Sequence, residues 1–129
     1  RENISVVRSI SESIKDNGYF FFDFLNSVYL RKHLQTFDIK KRNRKIIFQV
    51  REIAGKYVKK SIAIAGCTSV SDYPELREYH EKIRLFTLRD FRAIFRSCGL
   101  KIIRLFGDYS GKTFNINSSE RLIILAKKK

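Results

Sequence analysis

Two side chains in the sequence combine proton-transfer chemistry with a defined setting. They are Asp23, the carboxylate inside the aromatic run Tyr19-Phe20-Phe21-Phe22-Asp23-Phe24-Leu25, and His80, between Tyr79 and Glu81. Either group removes a proton from a nucleophile that lies within hydrogen-bond reach, so general-base chemistry is what they offer. A buried carboxylate must be paired or hydrogen-bonded, which leaves Asp23 two roles, capping backbone amides or facing a ligand. His80 fits an exposed position on a helix as well as a pocket. Asn26 serves either as the cap of a following helix or as a substrate contact. Tyr109 divides between a packed ring and a pocket wall, and Arg84 between an ion pair and a pocket wall. His33, beside Arg31 and Lys32, reads as a surface residue.

Other chemistries find little support. Two histidines without patterned carboxylates, and two cysteines as far apart as Cys67 and Cys98, give no metal-ligand spacing, so no metal is expected. Both thiols are read as reduced and inert. No Gly-x-Ser-x-Gly nucleophile turn occurs. No run of about eighteen uncharged apolar residues marks a membrane span, and the first segment lacks the order of a secretory signal, so the expected compartment is the cytoplasm. The chain opens on Arg1 without an initiator methionine, which suggests a missing N-terminal piece.

The elements that must position these groups follow from periodicity. Ile4, Val7, Ile10 and Ile14 recur at helical spacing, with Asn3 as N-cap and Gly18 as the stop. The nearly continuous apolar run 19–25 predicts a strand buried on both faces of a parallel sheet. Its rings are then core rather than a base-stacking platform, and Asp23 and Asn26 lie at its carboxyl end, where ligands sit in open α/β sheets. Residues 27–37 predict a short helix, and the basic run Lys40-Lys41-Arg42-Asn43-Arg44-Lys45 a solvated loop. Two β-rich stretches around Ala54-Gly55-Lys56 predict an antiparallel hairpin over 45–64 with one covered and one wet face. After a turn-rich stretch through Ser71-Asp72-Tyr73-Pro74, the polar segment 75–82 reads as helical. Thr87 and Asp90 form a capping box for a helix with the stripe Leu88, Phe91, Ile94, Phe95 and Cys98, stopped by Gly99. Two strands close the chain, 100–106 and 121–126, joined by the long loop 107–120.

This order and its motifs resemble the C-terminal half of class I S-adenosylmethionine-dependent methyltransferases. Ile14-Lys15-Asp16-Asn17-Gly18 leading into Tyr19 to Asp23 is similar to the turn before that family's fifth strand, with Asp16 and Asn17 replacing the usual proline and first glycine. Glu2-Asn3 with Val6-Val7, and Asp23-Phe24-Leu25-Asn26, resemble the subgroup acting on small molecules. So do Tyr79-His80, Arg84-Leu85-Phe86-Thr87, Cys98-Gly99-Leu100 and Phe106-Gly107-Asp108-Tyr109, in order and approximate spacing. Arg121-Leu122-Ile123-Ile124-Leu125-Ala126-Lys127 is similar to the closing strand, which the family inserts antiparallel between the two before it.

The resemblance implies an α/β fold over residues 1–129, the C-terminal part of a Rossmann-like sheet. Its order is helix and strand, an inserted antiparallel hairpin at 45–64, a helix, and a final antiparallel strand pair. It implies S-adenosylmethionine as cofactor, held mostly by an N-terminal half, because the family's glycine-rich loop and acidic residue have no counterpart here. The fragment alone is then expected to be inactive. His80 and Asp23 become the catalytic residues, and Asn26, Tyr79, Arg84 and Tyr109 the contacts to a small-molecule acceptor. The open sheet is expected to be covered by the missing half or by a second copy. The net charge of +14 carries the alternative: a nucleic-acid methyltransferase, or a non-catalytic basic module that binds nucleic acid. That charge is distributed along the chain, with clusters only at 40–45 and 127–129, so nucleic acid is the second reading.

Overall fold

The computed structural model describes residues 2–67 and 74–129; the turn expected through Ser71, Asp72 and Tyr73 lies outside the described residues. In chain order the elements are α1 (Glu2–Ser13), β1 (Tyr19–Leu25), α2 (Ser27–His33), β2 (Phe37–Arg42), β3 (Lys45–Ala54), β4 (Tyr57–Cys67), β5 (Pro74–Arg84), α3 (Leu88–Ser97), β6 (Leu100–Phe106) and β7 (Arg121–Lys128). They form two compact units, Arg1–Lys32 with Phe86–Lys129, and His33–Leu85. No helix among the described residues is long and apolar enough to cross a membrane.

In the first unit β7 lies between β1 and β6, antiparallel to both. Strand alternation sends Phe20, Phe22 and Phe24 to one face, where they pack on the apolar stripe of α3. The Phe22 ring meets Phe91 and Phe95 edge-on, at centroid distances of 5.0 and 5.7 Å, a geometry that adds about 0.5–1.5 kcal/mol per pair beyond burial. Phe95, Ile124 and Ala126 are completely enclosed. The expected capping box opens α3: Thr87 Oγ1 accepts from the Asp90 amide at 3.2 Å and Asp90 Oδ2 from the Thr87 amide at 2.9 Å. Gly99 ends it with φ 74°. Helix α1 contributes Val7 to the core and is tied to α3 by Ser11 Oγ, which donates to the Cys98 carbonyl at 2.7 Å.

Three expectations for this unit are corrected. Asn3 lies inside α1 instead of capping it. Asn17, with φ 64°, takes the left-handed position assigned to Gly18; Gly18 is required by closeness, since a Cβ there would stand 2.4 Å from Ile14 Cγ2. And β1, whose run of aromatics suggested two buried faces, exposes Tyr19 and Phe21 on its other face, at 61% and 65%, while its antiparallel pairing with the closing strand β7 is as the resemblance implied.

The second unit is an antiparallel meander in the order β2-β3-β4-β5. The expected hairpin is its centre, and Gly55 at φ 61° makes the tight turn. Two further strands flank it where none was foreseen. Lys40 to Arg42 finish β2, and Asn43 and Arg44, both with positive φ (49° and 64°), form the two-residue turn into β3, so the basic run is mostly ladder and not loop. Residues 75–82 belong to β5, paired with β4 from Cys67↔Pro74 to Tyr57↔Arg84. An outer strand tolerates a polar sequence, so the available edge of β4 overrides the local helical preference. Arg51 Nη1 pairs with Asp38 Oδ2 at 3.1 Å, and Val58 and Leu85 are buried.

Candidate active site

The open face of β1 carries a three-membered polar cluster. Asp23 faces away from Phe20, Phe22 and Phe24, on the same side as Tyr19 and Phe21, and opposes Ile123, which places Arg121, two residues along β7, on its own face. Arg121 Nε donates to Asp23 Oδ1 at 3.0 Å, and the Tyr109 hydroxyl donates to Asp23 Oδ2 at 2.6 Å. The hydrogen bond to Asp23, with desolvation and the carboxylate's charge, raises the Tyr109 phenol above its ordinary value against the lowering charge of Arg121. A carboxylate has about four lone-pair sites, so two remain for donors on a ligand.

The turn that carries Tyr109 is built locally. Asp108 Oδ1 accepts from the Ser110 hydroxyl at 2.7 Å and from the amides of Ser110 and Lys112 at 2.9 and 3.3 Å. The Ser110 hydroxyl, aided by those amides and the charge of Lys112, outweighs desolvation and holds the Asp108 carboxyl below its ordinary range. Gly107 lets the loop close, since a Cβ there would stand 2.2 Å from Ser119 Oγ. Asn26 secures the other side: Nδ2 donates to the carbonyls of Ile116 and Ser119 at 2.9 and 2.7 Å, while Oδ1 accepts from the Val28 amide at 3.2 Å. Buried Asn26 thus caps α2 and anchors the loop, with both of its N–H donors committed.

The remaining candidates lie on β5 in the second unit. His80 sits in a strand, not a helix, with Nδ1 3.2 Å from Ser61 Oγ across the ladder. Tyr79, its neighbour, therefore points to the opposite sheet face, while Arg84 shares the face of His80. Adjacency in sequence thus separates Tyr79 from His80, whereas Asp23 and Tyr109, far apart in sequence, touch. Arg121 and Ser61 are functional neighbours that the residue types alone did not single out; the signal for Arg121 was a cation at the head of the apolar run 122–126, the counterpart of Asp23 in β1.

No group of three or more His, Cys, Asp or Glu side chains among the described residues is placed to hold a metal ion. The chain contains no Gly-x-Gly spacing, and the turn from β1 into α2 holds the hydrogen-bonded side chain of Asn26.

No family model matches the chain. It is similar to the cypemycin N-terminal methyltransferase of a Streptomyces species, 23% identical over 131 residues, covering 98% of this chain and 51% of that protein. Among solved structures it resembles an S-adenosylmethionine-dependent methyltransferase from Clostridium acetobutylicum, with TM-score 0.81 and 17% identity over 97% of this chain and 50% of the other. It also resembles the sugar N-methyltransferase KedS8 from Streptoalloteichus, with TM-score 0.72 and 11% identity over 99% of this chain and 49% of that one. The chain spans about half the length of these proteins. Its fold is the C-terminal half of the S-adenosylmethionine-dependent methyltransferase fold, as the order of motifs led one to expect.

Proposed function

We propose that this chain is the acceptor-side half of an S-adenosylmethionine-dependent methyltransferase acting on an amine nitrogen of a small molecule. The cofactor is held by the half that its relatives carry and this chain does not span. The observation that carries the reading is the Asp23–Tyr109–Arg121 cluster on a sheet of methyltransferase fold. A nitrogen acceptor is suggested by the similar proteins, one named an N-terminal methyltransferase and one a sugar N-methyltransferase.

An amine reacts only when unprotonated, and a carboxylate in hydrogen-bond reach removes its proton. Asp23 fills that role, and Tyr109 and Arg121 fix the orientation of its carboxylate so that its unused lone pairs face the acceptor. Positioning of this kind is worth a large share of the barrier when the geometry is held to a fraction of an ångström. Within the second unit His80, oriented by Ser61, is a second candidate base and Arg84 shares its sheet face, whereas Tyr79 lies on the other face. The half not spanned here also covers Tyr19 and Phe21 and pairs the free edge of β1. The chain alone is inactive, and the assembled enzyme is cytoplasmic.

Calorimetric titration of S-adenosylmethionine into this chain and into the longest reading frame that contains it tests the reading. Binding by the long form alone is the expected result. No binding by either form overturns the methyltransferase reading.

A further inference from the structure

The cations of the first unit are gathered where the motifs gave no hint of it. Arg92 and Arg96 stand four residues apart on the outer face of α3, and with Lys101 and Lys129 they line a hollow of about 180 Å3 whose other lining is Leu100 and Ile102. A second hollow, of about 580 Å3, shares Arg92 and Ile102 and adds Arg104, Thr113, Phe106 and Phe114. No carboxylate lines either one. Arg92, Arg96, Lys101 and Arg104 are exposed, and the ion pairs of this unit's described residues leave all four out. Like charges four apart on a helix repel, and the helix dipole favours only Arg96, in the last turn. β6 is moreover the outer strand of its sheet, with a ladder irregularity between Ile102 and Arg104 beside the shared wall of the two hollows.

We propose that this trough binds the phosphodiester backbone of single-stranded nucleic acid. One phosphate sits among Arg92, Arg96 and Lys101, and the adjoining nucleotide follows the second hollow. There Arg104 meets the next phosphate, and Phe106 and Phe114, both half-buried, offer ring surface to a base. The first hollow alone would suit any phosphate. The second, larger and lined by both a cation and aromatic rings, is what selects a nucleotide chain. The inference rests on α3 and β6 and is independent of Asp23 and of methyl transfer.

Fluorescence anisotropy of a labelled single-stranded RNA oligonucleotide, measured on the protein over a range of salt, tests it. The triple variant R92Q/R96Q/K101Q is expected to weaken binding by about tenfold or more at low salt and to reduce the slope of log K against log salt by about 2. The triple variant K40Q/K41Q/R42Q, with the same charge removed from the second unit, is expected to change both by far less. R92K/R96K, which keeps the charge, is expected to retain most of the affinity and guards against a fault in folding. Equal losses in the two triple variants overturn the proposal, because binding then follows net charge. Absence of RNA binding by the unaltered protein overturns it as well. Inorganic pyrophosphate that binds the trough as tightly as the oligonucleotide assigns it to free phosphate. Phosphatidylserine vesicles whose retention alone depends on the triple assign it to a lipid surface. Either of these outcomes also overturns the proposal.

Discussion

The three-stranded sheet of the first unit and the four-stranded sheet of the second are both antiparallel and both rich in branched and aromatic residues, yet they bury them differently. In the first, α3 lays Phe91, Ile94 and Phe95 on the inward faces of β1 and β7 and encloses them. In the second, the buried apolar side chains among the described residues are Val58 and Leu85, while Phe37, Ile39, Val50 and Leu76 remain about half exposed or more. A one-sided sheet face with a one-sided helix makes a core; a sheet with apolar residues on both faces does not make one by itself. Stability in such a molecule is concentrated, so amides of β1, β6 and β7 should be the slowest to exchange.

The largest expected effect comes from removing the centre of that core. Phe95 is fully enclosed and touches Phe20, Phe22 and Phe91. Phe95→Ala should destabilise the first unit by about 3–5 kcal/mol through lost burial and the cavity left behind. Hydrogen exchange followed by mass spectrometry reads this segment by segment. If β1, β6 and β7 keep their protection in the variant, the contrast between the two units has been drawn in the wrong place.

A smaller effect is expected where the first unit meets its candidate site. Gly107→Ala drives a methyl group to within 2.2 Å of Ser119 Oγ, the atom that accepts from the Asn115 amide at 2.8 Å. Overpacking of this kind costs about 1–3 kcal/mol, and the loop must shift to relieve it. Tyr109 then leaves Asp23, and because the bond to Asp23 is the largest cause of its raised pKa, its phenol should titrate nearer the ordinary value. Ultraviolet titration in a Tyr29→Phe background checks this, because desolvation and the nearby Glu120 carboxylate also raise the Tyr29 phenol; a remaining late-ionising tyrosine unchanged by Gly107→Ala would show that the core holds the loop without help from Gly107.

The same contrast explains what was legible in the sequence. Where local chemistry and packing agree, the residues sufficed: the Thr87 and Asp90 capping box, the stripe of α3, the stop at Gly99 and the closing strand are all as read. In the second unit they disagree. The segment at 75–82 has the polarity of a surface helix, and only the long-range partner β4 makes it a strand. The run at 40–45 looks like a solvated loop because its charges hide a ladder, Lys40↔Ile47 to Arg42↔Lys45. Of the candidate site, Asp23 and Tyr109 were named separately, but their contact was not foreseeable, since it depends on how the long loop folds back. Arg121 escaped notice because its role exists only in the register of β1 with β7.

The smallest expected effect lies in the second unit and sharpens the comparison most. With little buried area, that sheet relies on its turns for register, and the turn between β2 and β3 has a flaw. Asn43 tolerates its positive φ, whereas Arg44 at φ 64° bears the clash of a Cβ with the following carbonyl. Arg44→Gly relieves about 1–2 kcal/mol of that strain and returns part of it as added freedom of the unfolded chain. A net gain of about 0.5 kcal/mol is therefore expected, seen as slower exchange of the β2 and β3 amides. A gain confined to those strands means that the accessory sheet opens on its own. A gain spread equally to β1, β6 and β7 means that the two units unfold together, and that the enclosed phenylalanines stabilise both.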